Sequence, residues 1–361
     1  MWRELSLTLE QAWSAIEQFL TPWLSTRQAL VLLTGAGSSA FIGEVLADEA
    51  NRNWPCEVRA VATTSLLTHP HAHLQADRPT LLLSFARSGN SPESSAAVAL
   101  VRALVRQSGF VNITCNPEGA LYREGLGRDD TLNLLMPKGS CDQGFAMTSS
   151  FSCMLLAAQL ILSPLPWTDQ QQALAMAATQ AASVLSTTAQ AVAHLAHWAQ
   201  SSSPRLVVLG DGPMLGLARE AALKMLELTA GGVVALCDTT LGFRHGPKAV
   251  LHANTLVLVL SSGQPDVRRY QQDLVNELRR DGVAGKVIVV GPQLADHPPV
   301  DIPLPGLPHG ELWQGLLALL VAQALALHSA VALGCTPDNP FPEGRVNRVV
   351  QGVTIYPMAQ A

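Results

Sequence analysis

The sequence predicts an α/β fold of two tandem, doubly wound parallel sheets, each a three-layer αβα arrangement of the flavodoxin-like or Rossmann-like type. With 361 residues, of which 48% are hydrophobic and 14% charged, the chain is long and apolar enough for two buried cores. Short runs rich in leucine and valine, at 30–33, 80–83, 206–209 and 256–260, show little polar alternation, as strands covered on both faces should. Helical stretches separate these runs, and alternating strand and helix predicts parallel sheets.

Segments that recur at one spacing support the same fold. The glycine-rich turn GAG at 35–37 matches GDG at 210–212, an offset of 210 − 35 = 175 residues. TLLLSFARSGNSP from position 80 and TLVLVLSSGQPD from position 255 are also 175 apart, as are VNITCNPEG from 111 and KVIVVGPQL from 286. Three matches at one offset predict an internal duplication.

The two predicted copies set the domain boundaries. An alanine-rich stretch that ends in a Ser/Pro linker separates them, and prolines recur in the segment after the second copy. The predicted segments are an N-terminal helical segment at 1–29, a first domain at 30–165, a helical linker at 166–204, a second domain at 205–334 and a C-terminal tail at 335–361 that closes over the site.

Charge and composition argue against several classes of partner. The formal net charge is −5 without a long basic run, which disfavours nucleic acid and anionic membranes. The six scattered cysteines form no C-x-x-C pair, as is typical of reduced thiols in the cytoplasm. The N-terminus lacks the apolar core of a signal peptide, and polar residues interrupt the apolar window 312–333, which favours a buried helix over a membrane span. We expect a soluble, cytoplasmic protein with a small ligand.

Hydroxyl side chains cluster in two turns of the first domain, TGAGSSA at 34–40 and SFARSGNSPESS at 84–95. Both should face one crevice, because ligands of open α/β sheets lie beyond the carboxyl ends of the strands. Ser91 is a good N-cap and Pro92 a good first helical residue, so a helix N-terminus points its N–H groups at the same volume. These features favour a phosphate monoester. The candidate binding residues are Ser38, Ser39, Arg87, Ser88, Asn90 and Ser91.

Two other interpretations of these turns remain. Ser91 by itself is compatible with a simple helix cap. The turn from Gly35 to Ala40 also matches the dinucleotide fingerprint G-x-G-x-x-A. However, the acidic residue expected at the end of the next strand is missing, since Glu57 lies at the start of EVRAVATTS. We therefore expect no nicotinamide or flavin cofactor.

The second domain carries charged side chains instead of the hydroxyl-rich turn. Glu220, Lys224 and Glu227 are spaced i, i+4, i+7 and share one helix face. Glu220 and Lys224 are equally compatible with an ordinary surface pair. Glu227 ends the helix among apolar residues and is the candidate for proton transfer.

Histidines supply the remaining candidates. His245 lies in FRHGPK, where Gly246 and Pro247 predict a tight turn. This turn exposes the imidazole between Arg244 and Lys248. Lys248 is the candidate catalytic cation. Histidines also cluster at 69–73, but without H-x-x-x-H spacing or a carboxylate pattern, so we expect a solvated loop and no metal.

These motifs together resemble the sugar isomerase (SIS) domain family. The resemblance rests on RSGNSPES at 87–94, AREAALKMLELTAG at 218–231, GFRHGPK at 242–248 and the tail segments TPDNP and VNRVVQGVTIYP, and it runs from about residue 28 to the end. The chain is most similar to the tagatose-6-phosphate ketose/aldose isomerase branch, also described as galactosamine-6-phosphate deaminase/isomerase.

The resemblance implies roles for individual residues. In the isomerase half of glucosamine-6-phosphate synthase, which belongs to the wider family, the phosphate-binding hydroxyls correspond by position to Ser39, Ser88 and Ser91. The catalytic glutamate of that enzyme corresponds to Glu227, and its ring-opening histidine to His245.

The tail departs from the wider family. The catalytic lysine of that family corresponds here to Gln351, so a Schiff base on a tail lysine is not implied. The histidine of the family usually comes from a partner subunit, which implies at least a homodimer.

The resulting hypothesis is an enzyme that converts D-galactosamine 6-phosphate to D-tagatose 6-phosphate and ammonia, without metal or redox cofactor. Two alternatives remain open: an aldose/ketose isomerase that releases no ammonia, and a sugar-phosphate sensor without catalysis. A sensor does not need a displayed glutamate and histidine, and no helix-turn-helix extension is visible in the sequence.

Overall fold

The computed structural model describes residues 1–308, 310–350 and 352–356, and the chain divides into two units. Unit 1 comprises residues 1–142, 147–165 and 343–361, and unit 2 comprises residues 143–146 and 166–342. The predicted α/β class with two parallel sheets is confirmed, because each unit contains one five-stranded parallel sheet with helices.

Unit 1 is built around a sheet with the strand order β2-β1-β3-β4-β5. All residues of β1 and β3 are buried, as expected for central strands covered on both faces. The elements are α1 (Trp2–Leu24), β1 (Leu30–Thr34), α2 (Ser38–Asn53), β2 (Glu57–Ala60), α3 (Thr63–Thr68), α4 (Pro70–His73), β3 (Thr80–Ala86), α5 (Pro92–Leu104), β4 (Ser108–Thr114), α6 (Ala120–Glu124), β5 (Thr131–Leu135) and α7 (Ser149–Leu162).

The N-terminal helical segment is part of unit 1. Helix α1 buries Leu5, Leu9, Ile16 and Leu20, which recur at helical spacing along one stripe, and it contacts α7. Helix α7 is apolar on all sides and almost wholly buried, so it forms the centre of this helical layer.

Unit 2 has a sheet of the strand order β10-β9-β8-β6-β7. Its elements are α8 (Trp167–Ala196), β6 (Arg205–Leu209), α9 (Pro213–Leu228), β7 (Val234–Asp238), α10 (Thr240–Phe243), β8 (Thr255–Leu260), α11 (Pro265–Asp281), β9 (Lys286–Pro292), β10 (Ile302–Leu304) and α12 (Glu311–Ala332). Most of the stretch 166–204, which we predict to be a helical linker, is helix α8, and α8 packs against α12.

Helix α12 contains the apolar window of the sequence. By length and composition alone it could cross a membrane, but 61% of its most apolar 18-residue window is buried inside the structure. It packs against α8 and α9, so its apolar surface has protein partners.

The two sheets follow the same plan. In both, the first strand of the unit lies between the second and the third. Gly37 and Gly212, which precede α2 and α9, have nearly identical backbone angles (φ 56°, ψ −131° and φ 56°, ψ −130°). The offset is 175 residues from β1 to β6 and from β3 to β8, but the third match was misaligned, because β4 begins at 108 and β9 at 286, and 286 − 108 = 178.

Candidate active site

The hydroxyl-rich turns of unit 1 lie at the carboxyl ends of two neighbouring strands. Strands β1 and β3 pair in register, with Thr34 opposite Ser84. The chain leaves β1 for one side of the sheet and β3 for the other, so the two turns border the crevice in which ligands of such sheets bind. The structure thus brings together the turns that the sequence analysis singled out.

The turn after β1 is tightly built. A Cβ at Gly35 would come within 2.6 Å of the Ser39 backbone, so only glycine allows this approach. Gly37 has a positive φ of 56° and directly precedes α2. Ser38 and Ser39 are therefore the first residues of α2, and both are buried. The Ser39 hydroxyl contacts the Met147 sulfur at 4.0 Å.

The turn after β3 presents a helix N-terminus. Ser91 is the N-cap of α5 and Pro92 its first residue, as predicted. However, the Ser91 side chain accepts no capping hydrogen bond. Pro92 has no N–H and the Ser94 N–H is bonded to the Ser91 carbonyl at 3.0 Å, so the Ser91 hydroxyl and the N–H of Glu93 are the donors that this helix start offers to an anion.

Arg87 contacts the C-terminal tail. Its side chain is 7% exposed, and its Nη2 donates a 3.0 Å hydrogen bond to the carbonyl of Arg348. The Arg348 guanidinium in turn bonds the carbonyl of Asp142. Arg87 therefore links the turn after β3 to the tail segment of unit 1.

Ser88 and Asn90 brace the same turn. The Ser88 hydroxyl accepts a bond from the Asn90 amide N–H, and the Ser88 carbonyl accepts one from Asn116 Nδ2 at 2.8 Å. The Asn90 side-chain oxygen accepts a bond from the N–H of Ala120 at 3.1 Å. These bonds tie the turn to the segment that leads into α6.

Two further hydroxyls lie at the ends of the strands beneath these turns and were not singled out from the sequence. Thr34 and Ser84 are buried, and within the described part of the chain neither Thr34 Oγ1 nor Ser84 Oγ has a hydrogen-bond partner. The sequence pattern could have identified both residues, because each is the single hydroxyl residue that follows a run of aliphatic residues, in LVLLT and in LLLS.

The corresponding crevice of unit 2 is acidic. Asp211, in the turn after β6, accepts hydrogen bonds from the N–H and hydroxyl of Thr240 and from Gln271 Nε2. Glu311 accepts one from the Ser262 hydroxyl, and burial, together with the nearby charge of Asp211, raises the pKa of Glu311. This crevice is therefore unsuited to a phosphate, which agrees with the absence of a hydroxyl-rich turn in the second half of the sequence.

Three charged side chains on α9 form a buried cluster. Lys224 and Glu220 are both 0% exposed and lie 3.4 Å apart, so they are not the surface pair that their spacing also allowed. The Lys224 ammonium also contacts Glu227, whose side chain is 24% exposed. Glu227 is thus the member of the cluster that a ligand can reach, and Lys224 is the cation beside it.

The loop around His245 is anchored on both sides. Arg244 bonds Glu277 at 2.9 Å, and Lys248 pairs with Glu277 and with Asp281 at 2.6 Å, so both flanking cations are tied to α11. These carboxylates raise the pKa of Lys248 by stabilising its charged form. The structure does not bring Lys248 to Glu227.

The imidazole of His245 is exposed, as the sequence predicted. Within the described part of the chain, no hydrogen bond or ion pair joins it to another side chain, and none joins it to Glu227. Gly246 has a φ of 124°, which a side chain would strain, so this glycine sets the tight turn after the histidine.

Two other expectations concern the tail and the histidine cluster. Gln351 lies outside the described residues. His69 lies between the short helices α3 and α4 and His71 lies within α4; both are exposed, but they do not lie in an irregular loop. Among the described residues, no group of three or more histidine, cysteine, aspartate or glutamate side chains is placed to hold a metal ion.

The chain is similar over nearly its whole length to curated proteins named D-galactosamine-6-phosphate deaminase AgaS. It is 42% identical to that of Shewanella sp. over 363 residues, which cover 100% of this chain and 90% of the relative. It is 41% identical to that of Escherichia coli over 351 residues, covering 95% and 89%. The solved structure of tagatose-6-phosphate ketose/aldose isomerase from Escherichia coli matches with a TM-score of 0.87 and 36% identity, covering 99% and 94%. No protein-family model matches the chain.

Proposed function

The chain belongs to the sugar isomerase (SIS) family, in the branch of the AgaS proteins, and we propose that it is a D-galactosamine-6-phosphate deaminase that forms D-tagatose 6-phosphate and ammonia. The proposal rests on the full-length similarity to AgaS proteins and on one structural observation. That observation is the partly exposed Glu227 carboxylate held by the buried Lys224.

We assign phosphate binding to the two turns of unit 1. The hydroxyls of Ser39, Ser88 and Ser91 and the Glu93 N–H at the start of α5 offer donors to a phosphate, and the helix dipole favours its charge. Ser38 lies beside Ser39 in the same turn. Asn90 and Arg87 act through the shape of the turn, since Asn90 bonds the Ala120 N–H and Arg87 bonds the tail.

We assign ring opening to His245. The imidazole moves a proton from the hydroxyl on C1 to the ring oxygen, which yields the open-chain aldehyde. An exposed imidazole on an anchored loop suits a group that completes the site of a partner subunit. We therefore propose a homodimer in which each chain lends its His245 to the other.

Glu227 then acts as the base. Its carboxylate removes the proton from C2 while water gives a proton to the oxygen on C1, which forms an enolamine. The carboxylate then returns its proton to C1 while the amine gives up one proton to water. Lys224 orients the carboxylate and balances its charge. We therefore assign the assistance of this transfer to Lys224 rather than to the sequence candidate Lys248, which pairs with Glu277 and Asp281 beside the His245 loop.

The product of this transfer is an imine at C2. Attack of water on C2 and loss of the amine release ammonia and leave the ketone of tagatose 6-phosphate, so that one water is consumed for each ammonia. The proposed chemistry uses side chains and water alone.

The alternative within the same chemistry is isomerisation of a sugar phosphate without deamination. It is favoured by the tagatose-6-phosphate ketose/aldose isomerase name of the similar Escherichia coli structure. The same Glu227 and His245 would carry it.

One assay separates these functions. The purified protein is given D-galactosamine 6-phosphate or D-glucosamine 6-phosphate, and ammonia and ketose 6-phosphate are followed together. We expect equal amounts of both products from the galacto compound, and a loss of turnover of at least about a hundredfold in Glu227→Gln, as is usual for an acid–base group.

Three results would contradict the proposal. Ketose formation without ammonia would leave a plain isomerase. Tight binding of the sugar phosphate without turnover would leave a sensor. Unchanged turnover in Glu227→Gln would remove the assigned base.

We also propose that the enzyme acts in the cytoplasm and that its two units arose by duplication. The common strand order and the equivalent Gly37 and Gly212 turns support the duplication. The cysteine pattern supports the location.

A further inference from the structure

Aliphatic side chains are exposed along β7, the edge strand of the sheet in unit 2. Within the described residues β7 pairs with β6 alone, so its outer edge has no neighbouring strand. Val234 and Leu236 on β7 are 51% and 41% exposed, and Leu241 on the following helix α10 is 44% exposed. We call these three residues the β7 strip.

The β7 strip is the uncovered margin of a core on one face of this sheet. Leu236 pairs in register with Val207, and register partners in a parallel sheet point to the same face, as does Val234 two residues earlier. Val207 belongs to a buried core that also contains Phe243 of α10. Helix α10 has only 4 residues, so it is too short to cover β7 as well.

The equivalent edge of unit 1 is charged. Strand β2 occupies the same place in its sheet, and Glu57 pairs with the first residue of β1 as Val234 pairs with the first residue of β6, where 205 − 30 = 175. Glu57 therefore corresponds to Val234. By the same count Arg59 corresponds to Leu236. Glu57 forms ion pairs with Arg59 and, at 2.7 Å, with Arg78.

This internal comparison separates the needs of the fold from those of a partner. Charged side chains on an edge strand keep other chains from associating with it, and unit 1 follows this rule. Because β2 accepts Glu57 and Arg59, the fold does not itself require aliphatic residues at these positions. The aliphatic residues that unit 2 exposes there are instead suited to a protein partner.

The place of the β7 strip in the chain points to a second copy as that partner. Helix α10 leads directly into the loop of His245, so the strip and the exposed imidazole lie on one continuous segment, 234–245. Within the described part of the chain, no hydrogen bond joins His245 to Glu227, and the proposed reaction needs both groups. A copy that receives His245 must therefore contact this segment.

We propose that the β7 strip is the surface by which two copies of this chain associate, so that each His245 loop is held against the partner. The proposal rests on the homodimer put forward with the proposed function. In a two-fold contact the same surface is used on both copies, and an apolar strip is complementary to itself. Association would also cover the edge of β7.

Analytical ultracentrifugation of the purified full chain over a range of concentrations tests this surface. Leu236→Arg gives β7 the residue that β2 carries at the equivalent position, and two arginines would meet across the two-fold axis. We expect the native protein to dimerise and Leu236→Arg to raise the dimer dissociation constant at least about tenfold. Leu241→Lys should have the same effect from α10.

A matched control shows whether the location matters. Leu327→Arg replaces a leucine of nearly equal exposure, 44%, on α12 of the same unit, and should leave the dimer unchanged. Far-UV circular dichroism confirms that each variant folds, and Leu241→Lys decides the question if Leu236→Arg does not. A monomeric native protein, a dimer that survives both strip variants, or equal dissociation of Leu327→Arg would overturn the proposal.

Turnover of D-galactosamine 6-phosphate is a separate readout. In Leu236→Arg it should fall at low protein concentration and recover as the concentration rises, because dissociation removes His245 from the partner. Unchanged turnover in the dissociated variant would overturn the role of the strip in placing His245. A native dimer that depends on the strip but releases no ammonia would contradict the proposed function and leave the surface standing, so the two failures are distinct.

Discussion

At the scale of single residues, Ser91 is the clearest case in which a local interpretation and a functional one make different predictions. A serine N-cap that bonds the helix N–H groups is worth about 1 kcal/mol to stability. The Ser91 side chain makes no such bond. We therefore expect Ser91→Ala to change the free energy of unfolding by less than about 0.5 kcal/mol, as for surface substitutions, while KM for the sugar phosphate rises.

Urea unfolding and steady-state kinetics check this prediction. Thr239 is the matched control, because its side chain does accept a capping bond, from the N–H of Gly242. Thr239→Ala should therefore destabilise the protein by about 1 kcal/mol. A clear decrease in the free energy of unfolding of Ser91→Ala with an unchanged KM would show that Ser91 acts as a helix cap and does not bind the phosphate.

Among the substitutions considered, we expect replacement of Lys224 to lower the free energy of unfolding the most. It is fully buried between Glu220 and Glu227, so Lys224→Met leaves a buried negative charge without its partner. We expect a loss of about 3–5 kcal/mol in the free energy of unfolding, and a partial recovery in the double variant Lys224→Met/Glu220→Gln.

Chemical denaturation measures both effects. The exposed Lys286, on β9 of the same unit, serves as the control, and Lys286→Met should remain within about 0.5 kcal/mol of the native protein. A native-like stability of Lys224→Met would mean that the cluster is solvated.

At the scale of elements, the N-terminus of α7 depends on one carboxylate. Asp142 accepts bonds from the N–H groups of Thr148, Ser149 and Ser150 and from two of their hydroxyls. Burial by itself would raise the pKa of Asp142, but the bonds from Ser150, Thr148 and the backbone outweigh it and hold this pKa below its ordinary value of 3.8. The carbonyl of Asp142 also receives the Arg348 guanidinium, so the residue anchors the tail segment as well.

The pH dependence of stability follows from the sign of this shift. A lowered folded-state pKa contributes stability that is fully present above the ordinary value of 3.8 and is lost as the pH falls through the folded-state pKa. We expect Asp142→Asn to cost about 1–3 kcal/mol at pH 7, and the difference from the native protein to shrink in acid. Urea unfolding across this range measures it, with Asp129→Asn, at an exposed position, as the control. A difference that does not depend on pH would contradict the assignment to the ionised carboxylate.

At the scale of the whole molecule, the proposed exchange of His245 between subunits predicts complementation. Glu227→Gln and His245→Gln homodimers should each be inactive. In a mixed dimer, one site combines the intact Glu227 of one chain with the intact His245 of the other. Random mixing makes half of the dimers mixed, each with one working site, so about a quarter of the native activity should return.

The measurement is turnover after the two variants are unfolded and refolded together. Mixing each variant with itself is the control and should recover nothing. No recovery in the mixed sample would mean that both groups act within one chain or that the protein is not a dimer.

Several features were determined by the sequence itself, because they depend on local chemistry. Aliphatic runs define buried strands, Gly35 and Gly37 define the turn before α2, and Pro92 defines the start of α5. The fold class, the family and the exposed His245 followed from such signals and were confirmed.

Only the tertiary structure decided which of the charged residues meet. Spacing placed Glu220, Lys224 and Glu227 on one face, but only packing buried that face, because burial depends on which neighbour covers a helix. Arg87 bonds a residue 261 positions away in the chain, and no local pattern encodes such a contact.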